Sequence, residues 1–388
     1  MEFKIPLFKV HMAPWHYIEP RLKDVLYSGF IAEGDVVEKF EKSLADYLKV
    51  SEKNVFCTNS CTSGITIALR SAGVGPGTTV LVPPQTCIAT ATPVITLGAE
   101  IIWVDVDPTT GLIDPRSMAE RIQDNTRAVI PVHWAGDLAD IFNIQKVLST
   151  YRHRISIVED AAQAFGANYD KSKLESVGNS GSDFVCFSFQ AIKHLTTGDG
   201  GLVVCNSPDV ERIADDLSWF GIDRKAFRKP DGEINWEADV PFVGFKMHMN
   251  NIAAAIGLAQ LPSVRDFAIP RQKNNGRKLD SKLVEIDEIT VPPRRGDPAY
   301  WVLSVHAKHR DEFVRHMQSK GIQASRMHAR IDNYTGLNSR RLSPADRLPG
   351  ADTFSKTQVC LPCGWWLDSD DIDYIVNSVK EFYSGKIV

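Results

Sequence analysis

The chain has 388 residues, 43% hydrophobic and 24% charged, a composition of soluble globular proteins that excludes the disordered and fibrous classes. That length exceeds what one hydrophobic core serves, so a large domain with a smaller companion is expected. A formal net charge of -4 gives no overall attraction to phosphate backbones or anionic lipid, which sets nucleic acid and membrane surfaces aside as partners.

Met1 to Val10 mixes Lys4 and Lys9 with Glu2 and Pro6 and lacks the apolar run of a signal peptide, so a cytoplasmic location is expected. From Asp35 to Leu48, apolar Val36, Val37, Phe40, Leu44, Tyr47 and Leu48 recur at steps of three and four, which predicts a helix lying on a core. Asn54 to Thr58 reads as a strand, Asn59 to Ser63 as a polar turn, and Ile65, Ala68, Leu69 and Ala72 as the face of a following helix. The same grammar repeats with strands at 79–82, 101–104, 128–132 and 155–158 and helices at 87–97 and 141–148. Such alternation predicts an α/β fold, a mostly parallel sheet flanked by helices. Two more strands, 184–188 and 202–205, flank a segment containing Lys193. The large domain is expected to span 1–260. A proline- and charge-rich passage, including Arg271 to Lys278 and Pro292 to Asp297, opens a smaller α+β domain at 261–388.

Seven cysteines, an odd number scattered through apolar stretches, suit reduced thiols rather than a disulfide framework. Cys360 and Cys363 form a lone C-x-x-C with no second Cys or His pair nearby, which reads as a strand end and a proline turn; no metal site is expected.

Three segments carry candidate chemistry. Lys193 lies between strand-like runs and is followed by Gly198, Gly200 and Gly201. A desolvated lysine becomes a nucleophile able to bond an aldehyde, whereas a solvated one is an ordinary surface residue. Val158 to Gly166 delivers Glu159 and Asp160 at the end of an apolar strand, where open parallel sheets bind ligands; a helix cap is the competing reading for either acid. Asn59 to Gly64 opens a helix with small polar residues. Its N–H groups and hydroxyls suit a phosphate, while Thr62 and Ser63 are equally read as N-caps.

With Gly73-Val-Gly-Pro-Gly77, Val104-Asp-Val-Asp107 and Asn251 to Gln260 in the same order, these segments resemble the DegT/DnrJ/EryC1/StrS family of sugar aminotransferases. These are pyridoxal 5'-phosphate (PLP) enzymes of fold type I, and the resemblance covers nearly the whole chain. It implies that Lys193 bonds PLP covalently, that Asp160 meets the pyridine nitrogen and that Gln163 meets the ring hydroxyl. Thr62, Ser63 and Ser188 would hold the phosphate. The family builds each site from two copies, so a homodimer is implied, with Lys246 or His248 reaching the partner's phosphate. Cys87 stands where the family has an aromatic residue stacked on the cofactor, so that face is covered either by the Cys87 sulfur or by a neighbour such as Trp134. His328 and Arg330, in Ser325 to Asp332, are candidates for contacting sugar hydroxyls or a diphosphate. Tyr300-Trp301 and Trp365-Trp366 read as core or dimer contacts.

The implied activity is transfer of an amino group from an amino acid, glutamate above all, to a nucleotide-linked keto sugar, in amino sugar and polysaccharide biosynthesis. Two alternatives stand beside it. One is the family's dehydratase branch, which carries His where this chain has Lys193. The other is a PLP-binding regulator without catalysis, against which intact Lys193, Asp160 and Gln163 argue.

Overall fold

A computed structural model describes residues 3–170, 175–206, 211–223, 226–337 and 347–385. Helix α1 (Trp15–Tyr27) precedes α2 (Asp35–Leu48), which buries Val37, Phe40, Leu44 and Leu48 as the periodicity predicts. Strand β1 (Val55–Thr58) leads into α3 (Cys61–Ser71), β2 (Thr79–Val82), α4 (Ile88–Thr96), β3 (Glu100–Trp103), α5 (Pro115–Arg121), β4 (Thr126–Val129), α6 (Ile141–Leu148) and β5 (Ser156–Asp160). A short hairpin, β6 (Asn168–Asp170) and β7 (Glu175–Ser176), comes next. It is followed by β8 (Phe184–Ser188), β9 (Gly201–Cys205) and α7 (Glu211–Ser218).

Seven strands form one sheet in the order β1-β9-β8-β5-β4-β2-β3. Only β9 runs against its neighbours, pairing antiparallel with both β1 and β8. Strands β2, β4, β5, β8 and β9 are buried at every residue or nearly so, because helices cover both faces; hence their continuous apolar runs. The sheet is the mostly parallel, helix-flanked architecture expected from the alternating pattern.

Helices α8 (Asn251–Ser263) and α9 (Ile269–Leu283) join through a π-helical turn at Val264–Ala268. The π turn lies between Pro262 and Pro270, each of which removes an N–H donor from the helical ladder. The passage Arg271 to Lys278 is therefore helix rather than irregular chain. Helix α8 packs on α1 and α2. Beyond α9, β10 (Ile289–Thr290), β11 (Leu303–Ala307), α10 (Arg310–Ser319), α11 (Pro349–Thr357), β12 (Gln358–Leu361) and α12 (Ser369–Ser384) build a second layer. Its antiparallel sheet, β10-β11-β12, has its own core, to which Ile5 from the N-terminus contributes.

One carboxylate near the base of the large sheet has a measurable consequence. Glu41 of α2 accepts the Cys57 N–H at 2.6 Å, and burial among Asp215, Glu33 and Glu38 pushes its pKa up to about 8. A folded pKa raised above the unfolded value means that stability is full at acid pH and declines as pH rises through the window from the ordinary carboxylate value to about 8. The side chain keeps some solvent access, so the effect is a few degrees at most. Glu41→Gln, which keeps the acceptor without the charge, is expected to raise the melting temperature at about pH 9 and to leave it unchanged near pH 4. Thermal melts at the two pH values decide it; equal shifts at both would remove the charge from the explanation.

Candidate active site

The carboxyl ends of β1, β5 and β8 lie along one edge of the sheet, where open α/β folds bind ligands. Ser188 and Thr58 both register against Gly201 across β9, which sets Ser188 level with the end of β1, from which the chain turns into Thr62 and Ser63. A Cβ at Gly201 would stand 2.5 Å from the Cys61 nitrogen and the Ser60 carbonyl carbon. Only glycine lets β9 pass so close to the start of α3.

The cap of α3 is Ser60, whose Oγ accepts the Ser63 N–H at 3.1 Å. The cap reading of Thr62 and Ser63 is thereby corrected: both lie inside the first turn. The Ser63 hydroxyl is buried and donates to Asn59 Oδ1 at 2.6 Å, and Thr62 is half-buried beside it. Ser188 is buried at the end of β8, its Oγ accepting the Gln190 N–H at 3.3 Å.

Strand alternation sends the two acids of β5 to opposite sides. Glu159 is fully buried against His133 at 2.7 Å, Tyr169 at 2.8 Å and Ser180. His133 Nδ1 accepts the Ala139 N–H at 3.1 Å, so Nε2 carries the proton given to Glu159. Burial works to raise the Glu159 pKa, but the hydrogen bonds from His133 and the serines prevail and hold it below the ordinary value. Asp160 faces the site instead. Its Oδ2 accepts the Thr90 hydroxyl at 2.5 Å and its Oδ1 the Ala162 N–H at 3.1 Å. A turn rather than a helix follows Asp160, so it caps nothing. Gln163 is buried, its Oε1 accepting the Ala135 N–H at 2.6 Å.

Lys193 sits in the turn between β8 and β9 with its ammonium 3.8 Å from the centre of the Trp301 ring. Burial drives its pKa below the ordinary lysine value, although the Asp160 carboxylate and the Cys61 and Cys87 thiols act in the opposite sense. The side chain as a whole is only partly covered, so the amine is sheltered yet reachable. His194 turns away and donates from Nε2 to the Ala299 carbonyl at 3.1 Å, which leaves Lys193 as the basic group of this segment that faces Asp160. Cys87 is half-buried at the N-cap of α4, close enough to influence Lys193. Trp134 is fully buried, its indole N–H donating to Ser304 Oγ at 3.3 Å.

From the second layer, His328 meets Trp134 edge to face at 5.8 Å. Burial and the Lys193 charge push its pKa down to about 4, so it is neutral at pH 7 and offers hydrogen bonds rather than a cation. The segment before Arg330 is bent rather than a strand, and Met327 has a left-handed backbone, φ 69°. Arg330 is clamped by Asp332 at 2.6 and 3.0 Å and by Asp352, and the next N–H, of Ile331, donates to the Pro84 carbonyl at 3.0 Å. Arg330 thus fixes the strap that carries His328. Lys246 extends over the Trp219 ring of its own chain at 4.2 Å.

Thr90, and the place of Trp301 beside Lys193, escaped the sequence reading. Trp301 is core, as expected, at 3% exposure, but its face also supports the Lys193 ammonium and its N–H donates to the Ile192 carbonyl at 2.9 Å. No local signal marks either residue, because both contacts join segments far apart in the chain.

The turn behind Gln163 depends on Gly136, with φ 93°. An added Cβ there would lie 2.9 Å from the Gln163 carbonyl oxygen and from the Tyr300 and Trp301 nitrogens. Gly136→Ala is expected to cost about 1–3 kcal/mol from backbone strain alone. It should also displace Gln163 and Trp301 together, read as a lower melting temperature with weakened retention of PLP; a variant as stable as the parent would contradict this packing.

The donor set suits PLP: a sheltered amine, a buried carboxylate for a ring nitrogen, and a hydroxyl-lined helix start for a phosphate. A model of the DegT/DnrJ/EryC1/StrS aminotransferase family matches residues 16–380. The GDP-perosamine synthase of Caulobacter vibrioides is 34% identical over 299 residues, covering 75% of this chain and 76% of that protein. The spore coat polysaccharide biosynthesis protein SpsC of Bacillus subtilis is 29% identical, covering 93% of each chain. The crystal structure of the sugar aminotransferase CalS13 from Micromonospora echinospora superposes with a TM-score of 0.88 at 33% identity, covering 97% of this chain and 99% of that one.

Proposed function

Because the chain belongs to the DegT/DnrJ/EryC1/StrS aminotransferase family, whose members depend on PLP, we propose that it moves an amino group from glutamate to a keto group on a nucleotide-linked sugar. The observation that carries this reading is the Lys193 amine, its pKa lowered by burial, held over Trp301 on the ligand-binding edge and within electrostatic reach of Asp160.

PLP, when bound, supplies an aldehyde for the lysine amine and an electron-withdrawing ring that stabilises negative charge on a neighbouring carbon. Lys193 is the group that would hold it, and once released its amine takes a proton from one carbon and returns it to another. Asp160, fixed by Thr90 and Ala162, keeps a proton on the ring nitrogen. Gln163, with its carbonyl end held by Ala135, donates to the ring hydroxyl. Thr62, Ser63 and Ser188 bind the phosphate at the start of α3. Cys87 would cover one face of the cofactor, and the neutral His328 would donate to or accept from the sugar. Arg330 supports that histidine and, being held by two aspartates, leaves diphosphate binding to other groups.

Supporting a homodimer, Trp15, Tyr27 and Phe30 are 62%, 85% and 77% exposed around α1, an apolar surface suited to a second copy. Lys246 would then swing from Trp219 to the partner's phosphate. We retain the division into 1–260 and 261–388, linked by the α8–α9 helix, and a cytoplasmic location.

The test is a two-stage assay. Protein loaded with PLP is expected to release 2-oxoglutarate from glutamate, and then to aminate a member of a panel of UDP-, dTDP- and GDP-linked keto sugars. Loss of a sugar hydroxyl with no 2-oxoglutarate formed would instead identify a dehydratase, and binding of PLP without either reaction a regulator.

A further inference from the structure

A cavity of about 20 Å3 lies beside Lys193, with His11, His194, Trp301 and Trp366 also in its wall. Three of these side chains carry a polar atom that is shut off from solvent and has no hydrogen-bond partner among the described residues: Nδ1 of His11, Nδ1 of His194 and Nε1 of Trp366. His11 and His194 are only 9% and 6% exposed. An unpaired buried polar group costs about 1–3 kcal/mol, so three of them around one cavity point to a ligand.

The opposite nitrogen of each ring fixes what that ligand must be. His194 Nε2 lies 3.1 Å from the Ala299 carbonyl, which only accepts, so Nε2 bears the proton and Nδ1 a lone pair. His11 Nε2 lies 3.0 Å from Ser263 Oγ, and that hydroxyl gives its own proton to the Gln260 carbonyl at 3.0 Å. Ser263 therefore accepts from His11, and His11 Nδ1 is again a lone pair. Burial lowers the pKa of both rings, that of His194 to about 4, which keeps them neutral. The indole N–H of Trp366 is a donor only.

Two acceptors and one donor match a water molecule, which gives two hydrogens and receives one. A metal ion does not match, since the indole N–H would face it. The volume suffices for one water, which needs about 10–15 Å3. Its second lone pair is left for a further donor; Lys193 and Trp301 both line the cavity, and the Lys193 ammonium, 3.8 Å from the Trp301 ring centre, is such a donor.

We propose that this cavity binds a single water, held by His11, His194 and Trp366, which accepts a hydrogen bond from Lys193 and sets the proton affinity of its amine. His11 and His194 are then positioning residues for Lys193. The inference rests on Lys193 being the reacting amine. The other groups that face this amine or its cavity, Asp160, Cys61, Cys87, His328 and Lys9, stay constant in the comparison below.

High-resolution crystallography of the full-length apoprotein is expected to show one ordered water within hydrogen-bonding distance of all three nitrogens. A dry cavity, or a water touching neither imidazole, overturns the site. His11→Phe keeps a ring against Trp365, now 4.9 Å away, but removes the acceptor and should release the water. A hydrogen bond to the ammonium favours the charged form. Its loss should therefore lower the pH midpoint for capture of added PLP by the apoprotein, by roughly one pH unit. His11→Asn, which returns a polar amide near the Nδ1 position, should restore both water and midpoint. An unchanged midpoint in His11→Phe, with the water gone, overturns the link to Lys193. If Lys193→Ala captures PLP as the parent does, the functional reading fails, and the crystallographic water alone then decides the site.

Discussion

Lys193→Ala is expected to lower amino transfer by more than about 10³-fold, since it removes both the nucleophile and the proton carrier, while the melting temperature stays within a few degrees of the parent. The backbone N–H of residue 193 keeps its bond to the Gln190 carbonyl at 2.9 Å. The lost contact with the Trp301 face is worth about 1 kcal/mol and is offset by removal of a charge that burial disfavours. The sign of that offset follows from linkage. A lysine pKa lowered on folding means that the unfolded chain binds more protons, so stability rises with pH up to the ordinary lysine value, and alanine abolishes this slope. Lys193→Arg should be as inactive as alanine although it keeps a positive charge, because a guanidinium does not deprotonate in this range. Half-reactions with glutamate, followed by 2-oxoglutarate release, together with thermal melts, supply the check. Retention of a tenth of the parent's activity in either variant would place the chemistry on another residue.

Segments whose burial is apolar were legible from the sequence. Helix α2 shows its core face in Val37, Phe40 and Leu44, and strands such as β8, buried at all five positions, read as continuous apolar runs. Helix α9 was hidden because polar Gln272, Lys273 and Asn275 share its buried face with Ile269, Leu279 and Leu283. Gln272 donates to the Tyr300 carbonyl at 2.7 Å, Lys273 to the Gly166 carbonyl at 2.5 Å, and Asn275 to the Gly364 carbonyl at 2.9 Å. Periodicity of hydrophobic residues reports such a helix poorly, because amides and an ammonium fill the middle of its buried face. The site divides in the same manner. Asp160, Gln163 and Lys193 stand in local motifs, whereas Thr90, Trp301 and the water-lining His11 act on residues 70 or more positions away and leave no trace in any window of sequence.

Arg294 ties the two layers of the fold together, and Arg294→Ala is expected to destabilise the protein by about 3–5 kcal/mol. Its guanidinium reaches Asp137 at 2.5 Å, Asp280 at 2.8 and 3.0 Å and the Ser304 carbonyl at 3.0 Å, and its side chain is only 12% exposed. Asp137 follows the turn that carries Trp134 and Ala135, Asp280 belongs to α9 and Ser304 to β11, so one residue joins the site-forming turn to the second layer. Burial already raises the Asp137 pKa in spite of Arg294; without the arginine, two sheltered carboxylates would face each other with Tyr300 as a remaining donor to Asp280 at 2.9 Å. Asp137 would then take up a proton still more readily in the folded state than in the unfolded one. For groups with a raised folded pKa, stability is retained at acid pH and lost as pH rises, so the deficit of the variant should be smaller at about pH 5 than at about pH 8. Adding Asp137→Asn and Asp280→Asn to Arg294→Met should recover much of the loss, because the penalty belongs to the stranded charges more than to the missing contacts. Urea unfolding of the parent and these variants at both pH values measures each term. A deficit that is independent of pH, or that persists in full after neutralising both aspartates, would assign the tether to packing of the arginine stem against the Tyr300 ring, 5.7 Å from the guanidinium carbon, instead of to charge.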